Sequence, residues 1–489
     1  MSDRLYVTTA IPFVNGSPHL GHALEYVETD VLARHARARG RTVRFLTGTD
    51  EHAAKNVLAA RAAGEDVAPF VTRNAARFRT LADTLGVSYD DFLRTSADPR
   101  HRPAVEEIWR RCATNGDLYR DRYTGWYCAG CEEFRDADAD GGRCPEHDAP
   151  LERIEEENWF FRLSRYRDLI ADLVTTGQLC IEPEARRNEV LGFLDGPVRD
   201  LSVSRPRARV HDWGVPVPGD PDHVVYVWFD ALTNYISALG FGGTPDAEFD
   251  EWWDTDGERV HVIGKGIVRF HALIWPAILT SAGLAIPTTL VVHDYVTAGG
   301  RKIGKSLGNA VDPEAVAARF GTDALRWWLC REVPLLGEAN FTEDRLVETA
   351  NRDLANGVGN LVQRTVTLAA RAFDREPVRT IATGDLAATG TATRAHVDDA
   401  LARYDLRAAT AAIVALVDAA NRYVDATRPW ELLDNRDAVR AALAPLVHAT
   451  RTIAAELDPF VPELAARVRE RVGGDGEPVC PGAAVQPRI

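Results

Sequence analysis

The sequence predicts an α/β protein in which a doubly wound parallel sheet, interrupted by an insertion, is followed by an all-α helical domain. Three stretches predict it. "RLYVTTAI", the glycine turn "NGSPHLGH", the helical pattern "ALEYVETDVLARHARARG" and the strand "TVRFLTGTDEH" spell a βαβ unit in the first ninety residues. Residues from about 115 to 226 turn irregular and turn-rich and carry paired cysteines. From about 350 to 470 the chain is nearly all Ala, Leu, Arg and Val at helical period, as in a bundle.

Each element follows from its residues. "RLYVTTAI" is short and apolar, as a buried parallel strand is, and the helix after it stops at Gly40. "TVRFLTGTDEH" ends in acidic and imidazole groups, and α/β sheets bind ligands at the carboxyl ends of their strands. After the insertion the α/β pattern resumes at "HVVYVWFDALTNYISAL", runs through "ERVHVIGKGIVRFHALIWPAIL" and reaches one predicted strand, "TTLVVHDYVTA". The apolar run 270–292 is broken by His271, Pro276, Gly283 and Pro287, so it reads as helix then strand rather than a membrane span. The tail "GGDGEPVCPGAAVQPRI" reads as a frayed end.

Composition narrows the class. A 489-residue chain that is 45% hydrophobic with 11 Trp holds several packed units, not extended disorder. A net charge of −15 shows no global basic character, although nucleic acid needs only a local basic face. "MSDRLYVTTA" lacks a secretion signature, and seven cysteines make no disulfide framework, so a cytoplasmic setting is expected. Cys112, Cys180, Cys330 and Cys480 are scattered, and for most of them burial is the expectation.

Cys128-x2-Cys131, twelve residues, then Cys144-x2-His147 supplies three thiolates and an imidazole in two short pairs. That donor set suits one tetrahedral, structural Zn²⁺; a redox C-x-x-C would lack the second pair.

Basic charge is carried almost wholly by Arg, with only Lys55, Lys265, Lys302 and Lys305 as lysines. Two of the four sit in "GGRKIGKS" (299–306), which matches the phosphate-cradle pattern G-x4-G-K-[ST]. A phosphate cradle opens a helix at its Lys-Ser, whereas here the helix-start signal, Asp312-Pro313, comes six residues after Ser306. The stretch is a lysine loop that touches phosphate in another way. "PHLGH" brings His19 and His22 to a strand-to-helix turn, beside backbone N–H groups suited to phosphate, with Gly21 allowing close approach.

With these motifs, the chain resembles the methionyl-tRNA synthetase family of class I aminoacyl-tRNA synthetases. The resemblance runs through "TTAIPFVNGSPHLGH", "FLTGTDEH", the zinc knuckle, "YVWFDALTNYISALG", "GKGIVRFH", "KIGKSLGN", "GNLVQR" and "NRYVDATRPW". It implies a Rossmann-like catalytic domain in two halves, 1–114 and 227–311, around a connective insertion at 115–226. It also implies a stem-contact region at 312–349 and a helical anticodon-binding domain at 350–489. The implied reaction joins L-methionine to Mg-ATP, giving methionyl-adenylate and pyrophosphate, and then moves methionine to tRNA(Met).

The residues carry over as follows. His19, His22, Lys302 and Lys305 are the implied catalytic residues, and ATP is held by His19, Gly21, His22, Gly264, Lys302, Lys305 and Ser306. Methionine is held by Ala10, Ile11, Phe13, Asp50, Trp228, Ala231, Tyr235, Ile267, Phe270 and His271. Asp50 pairs with its ammonium, and the Tyr235 hydroxyl and Ile11 amide contact its sulfur. Cys128, Cys131, Cys144 and His147 hold Zn²⁺, and Asn360, Arg364 and Trp430 read the anticodon. Ile303 and Gly304 replace the usual Met and Ser of the lysine motif, and Gly266, Phe13 and Leu232 replace a common Asp, Tyr and Pro. No extra C-terminal dimerising domain follows, so a monomer without membrane contact is expected. The rival function is a synthetase-derived ligase with a non-tRNA acceptor, against which the anticodon trio argues.

Overall fold

The structure is a computed structural model that describes residues 3–128, 133–135, 142–144, 149–243, 247–303, 311–374, 376–379 and 384–489. Two compact units divide the chain. One comprises Met1–Pro18, Gly40–Thr80 and Ser88–His293, and the other His19–Arg39, Leu81–Val87 and Asp294–Ile489.

The first unit is built on a six-stranded sheet of Arg4–Thr9 (β1), Thr42–Thr49 (β2), Asp91–Arg94 (β3), Cys180–Glu182 (β4), Glu258–Gly264 (β5) and Thr289–His293 (β6). Its order is β3-β2-β1-β5-β6-β4, and every pairing is parallel. The chain steps outward from β1 in both directions, so a ligand crevice is expected where the carboxyl ends of β1 and β5 diverge. Leu5, Tyr6, Val7, Val262, Ile263, Leu290 and Val292 are buried, as the near-continuous apolar strands require. Trp253, Trp275, Phe229 and Ile278 fill the core packed against them.

The expected insertion, 115–226, is not wholly separate from the parallel sheet: Cys180–Glu182 within it is the edge strand β4, while much of the rest folds as antiparallel sheet. Leu118–Cys128 pairs with Glu133–Arg135 on one side and with Glu152–Phe161 on the other. A smaller sheet of Ser204–Pro206, Pro216–Val217 and Asp220–Val225 follows.

The second unit contains the helix Leu20–Ala38 (α1) and the helices Pro313–Phe320 (α2), Thr322–Glu332 (α3), Asn360–Phe373 (α4), Asp385–Leu401 (α5), Leu406–Thr427 (α6), Arg436–Leu457 (α7) and Pro462–Val472 (α8). In α4 the residues Leu361, Val362, Thr365, Val366, Leu368, Ala369 and Ala372 are buried at helical spacing, which is how the bundle makes its core. Helix α2 begins where the sequence predicts: Asp312 caps it, accepting from Glu314 N at 2.9 Å, with Pro313 at the first helical position.

Two expectations are corrected. "TTLVVHDYVTA" is not one strand: β6 ends at His293, and Val296–Ala298 pairs with Arg301–Lys302 and Ala339–Phe341 in a separate sheet of the second unit. Continuous apolar sequence does not reveal that the chain changes sheet at Asp294. The tail is packed rather than frayed. Val479 and Val485 are buried, Arg467 Nε donates to Val485 O at 2.7 Å, and Asn351 Nδ2 donates to Ile489 O at 2.9 Å. Cys112 and Cys330 are buried, Cys180 is half-buried and Cys480 is exposed, so burial fails for the last. Among the described residues no helix is long and apolar enough to cross a membrane.

Candidate active site

The carboxyl ends of β1, β2 and β5 lead directly into the predicted methionine residues. Ala10 and Ile11 follow β1, Asp50 follows β2, and Ile267, Phe270 and His271 lie just past β5. Ala10, Ile11, Trp228, Ala231, Tyr235, Ile267 and His271, with Leu232 and Asn234, line one cavity of about 20 Å³. That is room for about one water, so a larger ligand enters by parting the walls. Those walls are aromatic. Trp228 stacks on Phe270 with ring centres 3.7 Å apart and meets Phe13 edge-on at 5.9 Å. Asp50, 2% exposed, bridges to Phe13 through the backbone, and its carboxylate accepts from His52 N at 3.2 Å. Lys55 Nζ stands 3.4 Å from the centre of the Phe13 ring, a cation–π contact. Gly264, the last residue of β5, pairs with His293 in β6.

Beneath the cavity is a buried polar array. The Tyr235 hydroxyl lies 2.8 Å from His271 Nε2, and His271 Nδ1 lies 3.0 Å from Ile267 O. Burial pushes His271 down to about 4. The Tyr235 ring stacks on His261 at 3.9 Å, and Thr8 Oγ1 meets His261 Nδ1 at 2.8 Å. Burial, then the neighbouring His271 and Arg259, keep His261 well below the usual imidazole range.

Two features escaped sequence reasoning. Asn234 lines the cavity, with its Oδ1 buried and unpartnered while Nδ2 donates to Ala231 O at 2.6 Å. Its quoted motif held it, yet no charge or ring marked it. His52 and His101 also grip one buried carboxylate, Asp230, at 2.6 and 2.8 Å. Burial opposes charge on both His52 and Asp230, but their mutual attraction wins: His52 is raised and Asp230 is held far below the usual carboxylate range.

In the second unit, His19 is the N-cap of α1, and the two imidazoles cap the helix reciprocally. His19 Nδ1 accepts from Gly21 N at 3.1 Å, and His22 Nδ1 accepts from His19 N at 3.0 Å. The rings stack 3.9 Å apart. Nitrogens that accept carry no proton, so each ring's hydrogen is on Nε2. The sequence reading expected exposed backbone N–H groups here, but these two amides face imidazole. A Cβ at Gly21 would press on His19 Cε1 at 3.0 Å, so glycine serves the ring packing.

The lysine loop starts as a hairpin. Gly299 and Gly300, with φ of +63° and +69°, turn Val296–Ala298 back into Arg301–Lys302. Both positive φ values belong to a tight two-residue turn, so the first glycine of the apparent phosphate cradle makes a hairpin instead. Lys302 pairs with Thr297 through its backbone, while its side chain and the whole of Gly304, Lys305 and Ser306 lie outside the described residues. Ile303 is buried, an apolar side chain where the family has Met.

At the knuckle, Cys131 and His147 lie outside the described residues, and Cys128 and Cys144 are both fully buried. Cys128 pairs with Glu133 through the backbone, and Cys144 N donates to Ala149 O at 2.8 Å. Two buried soft donors, Cys128 and Cys144, fit a Cys₃His zinc site.

On the bundle, Asn360 and Arg364 are one helical turn apart on α4. The Arg364 guanidinium lies 5.8 Å from the Trp430 ring and donates to Asp425 at 2.7 Å. Trp430 is 41% exposed.

Comparison with known proteins shows the family. The family described as tRNA synthetases class I (M) matches residues 5–153 and 148–366. The methionine–tRNA ligase of Brucella suis biovar 1 is 40% identical over 485 residues, covering 95% of this chain and 91% of that enzyme. The methionine–tRNA ligase of Thermotoga maritima is 38% identical over 486 residues, covering 97% of this chain and 76% of that enzyme. The solved structure of Mycobacterium tuberculosis methionyl-tRNA synthetase in complex with methionyl-adenylate superimposes with a TM-score of 0.92 at 37% identity, covering 99% of this chain and all of that one. The chain belongs to the methionyl-tRNA synthetase family of class I tRNA synthetases.

Proposed function

We propose that the protein activates L-methionine with Mg-ATP and transfers it to tRNA(Met). In the first step a methionine carboxylate oxygen bonds to the α-phosphorus as the bond to pyrophosphate breaks. In the second, the terminal ribose hydroxyl of the tRNA takes the methionyl group and AMP leaves. The observation that carries this reading is the narrow, aromatic cavity at the strand ends, lined by Ala10, Ile11, Trp228, Ala231, Tyr235, Ile267 and His271. Polarisable apolar walls suit a thioether, and buried Asp50 suits the substrate ammonium.

His19 and His22 donate through Nε2–H to α-phosphate oxygens as their charge grows, while Gly21 and Gly264 keep the backbone close to ATP. Lys305, assisted by Lys302 and Ser306, holds the β,γ-phosphates. Mg²⁺ bound with ATP would neutralise part of their charge. Positioning and electrostatics account for the chemistry, so no nucleophile–base pair is required. Cys128, Cys131, Cys144 and His147 would hold one Zn²⁺ that folds the tip of the insertion. Asn360, Arg364 and Trp430 read the anticodon, with an amide, a fork and an indole suited to splayed bases. In this scheme 1–114 and 227–311 are the catalytic halves, 115–226 the insertion that also lends the parallel sheet its edge strand Cys180–Glu182, 312–349 the stem-contact region and 350–489 the anticodon domain. The protein acts as a monomer in the cytoplasm.

Methionine-dependent exchange between ATP and labelled pyrophosphate tests the first step. Exchange with methionine and with no other common amino acid is the expected result; no exchange would remove the assignment. Exchange without tRNA charging would instead favour a ligase with another acceptor.

A further inference from the structure

A buried carboxylate ties together two segments that frame the cavity. Asp230 sits on the short helix Val227–Leu232, between Trp228 and Ala231, which both line the cavity. Burial opposes its charge, but His52 and His101 hold it far below the usual carboxylate range. An ionised carboxylate only accepts, so both rings present N–H to it, His52 Nδ1 at 2.6 Å and His101 Nε2 at 2.8 Å. His52 belongs to the other segment, two residues past Asp50, and its backbone N donates to the Asp50 carboxylate at 3.2 Å. Between them Glu51 is fully buried and fastened to the sheet: Arg94 Nε donates to it at 2.7 Å and Thr49 Oγ1 at 2.9 Å. Trp213 Nε1 adds a hydrogen bond to Glu51 O at 2.7 Å. The segment of Asp50 is thus held firmly at the sheet, and the His52–Asp230 contact joins it to the cavity helix. That joint is stiff, because a shift of either segment would leave a buried charge without its partner.

We propose that His52 is a positioning residue for the amino acid: through Asp230 it sets the spacing between the Asp50 carboxylate and the cavity helix that carries Trp228 and Ala231. This rests on the methionine reading, in which Asp50 pairs with the substrate ammonium. The tie acts on the backbone of the helix and leaves its ring free to move. Trp228 Nε1 has no hydrogen-bond partner among the described residues, so the indole can turn aside for a ligand while the helix keeps its distance from Asp50. A ligand with both an ammonium and the thioether side chain spans the two segments and feels their spacing. A ligand with the side chain alone engages one of them and does not.

The test measures inhibition constants in ATP–pyrophosphate exchange, with methionine as the varied substrate and the full-length protein as the enzyme. Methioninol keeps the ammonium and the side chain, whereas deaminomethionine keeps the side chain and lacks the ammonium. His52→Leu is expected to weaken methioninol by about 5- to 10-fold and to leave deaminomethionine within about 2-fold. His52→Asn puts an amide N–H where Nδ1–H stood, and it should hold methioninol within about 3-fold of the unaltered protein. Equal weakening of both ligands in His52→Leu, as from a general loss of structure, overturns the proposal, and so does no weakening of either. A selective methioninol loss of about 5-fold or more in His52→Asn overturns it as well. No methionine-dependent exchange in the unaltered protein would refute the methionine reading and this inference with it. Normal exchange in the unaltered protein with unselective variants would refute the inference alone.

Discussion

Asp30 in α1 and Arg326 in α3 form an ion pair at 2.7 Å with both side chains fully buried. Arg326 also donates to Leu85 O, Pro459 O and Phe460 O, and Asp30 accepts from Arg34 at 2.7 Å. The helix whose first residues are capped by His19 and His22 is thus anchored within its unit by a fully satisfied buried charge network. Arg39, just past its other end, adds Asp398 and Glu456, each at 2.7 Å.

Removing one partner leaves the other charged and desolvated. Arg326→Met is expected to destabilise the protein by about 3–5 kcal/mol, since three carbonyls lose their donor and Asp30 loses its fully buried partner, keeping Arg34. The half-exposed pair of Arg110 and Glu107 is the control, and Arg110→Ala should cost less than about 1 kcal/mol. Urea titration of both variants checks the contrast.

Stability should respond to pH through two opposed histidine effects. His52 is raised from its ordinary 6.5 by Asp230, which outweighs burial, so its contribution is full below 6.5 and fades as pH climbs through the raised value. His271 is lowered by burial to about 4, so its contribution is full above 6.5 and is lost as pH falls toward about 4. His261 acts in the same direction as His271. Melting temperatures from about pH 5 to about pH 9 should fall on both sides, and His52→Gln should flatten only the alkaline decline.

Lys305 is expected to act on the phosphates in the transition state rather than on tRNA affinity. Lys305→Ala should cut methionine-dependent exchange by about 100-fold or more while leaving tRNA binding nearly unchanged. Unreduced exchange would remove Lys305 from that role.

Zinc should serve folding rather than the reaction step. Metal analysis is expected to find one zinc per chain. Cys128→Ser should lose it and expose the insertion to protease, with the rest of the chain still folded. Full metal content in that variant would disprove the ligand assignment.

Local chemistry made some of this legible in sequence. The start of α2 was readable because Asp312 and Pro313 act on the amides beside them. The end of α1 was readable because Gly40 takes a positive φ of +82°. What escaped was non-local. Nothing in "TTLVVHDYVTA" tells that its halves find partners in different sheets. The Gly- and Pro-rich tail looked frayed because its neighbours, Arg467 and Asn351, are remote in sequence. His52 and Asp230 are 178 positions apart, so their pairing is visible only in three dimensions. That Trp228, Tyr235 and His271 share one cavity was legible through the family motifs, whereas each aromatic by itself reads as ordinary core.

The central claim is tRNA charging, and the direct measurement is aminoacylation of tRNA(Met) with labelled methionine. The same tRNA with an altered anticodon, and a Trp430→Ala variant of the protein, serve as comparisons. Efficient charging of tRNA(Met), and a steep loss with either change while exchange persists, is the predicted result. Methionine-dependent exchange with no charging of tRNA(Met), or charging indifferent to the anticodon and to Trp430, would contradict it.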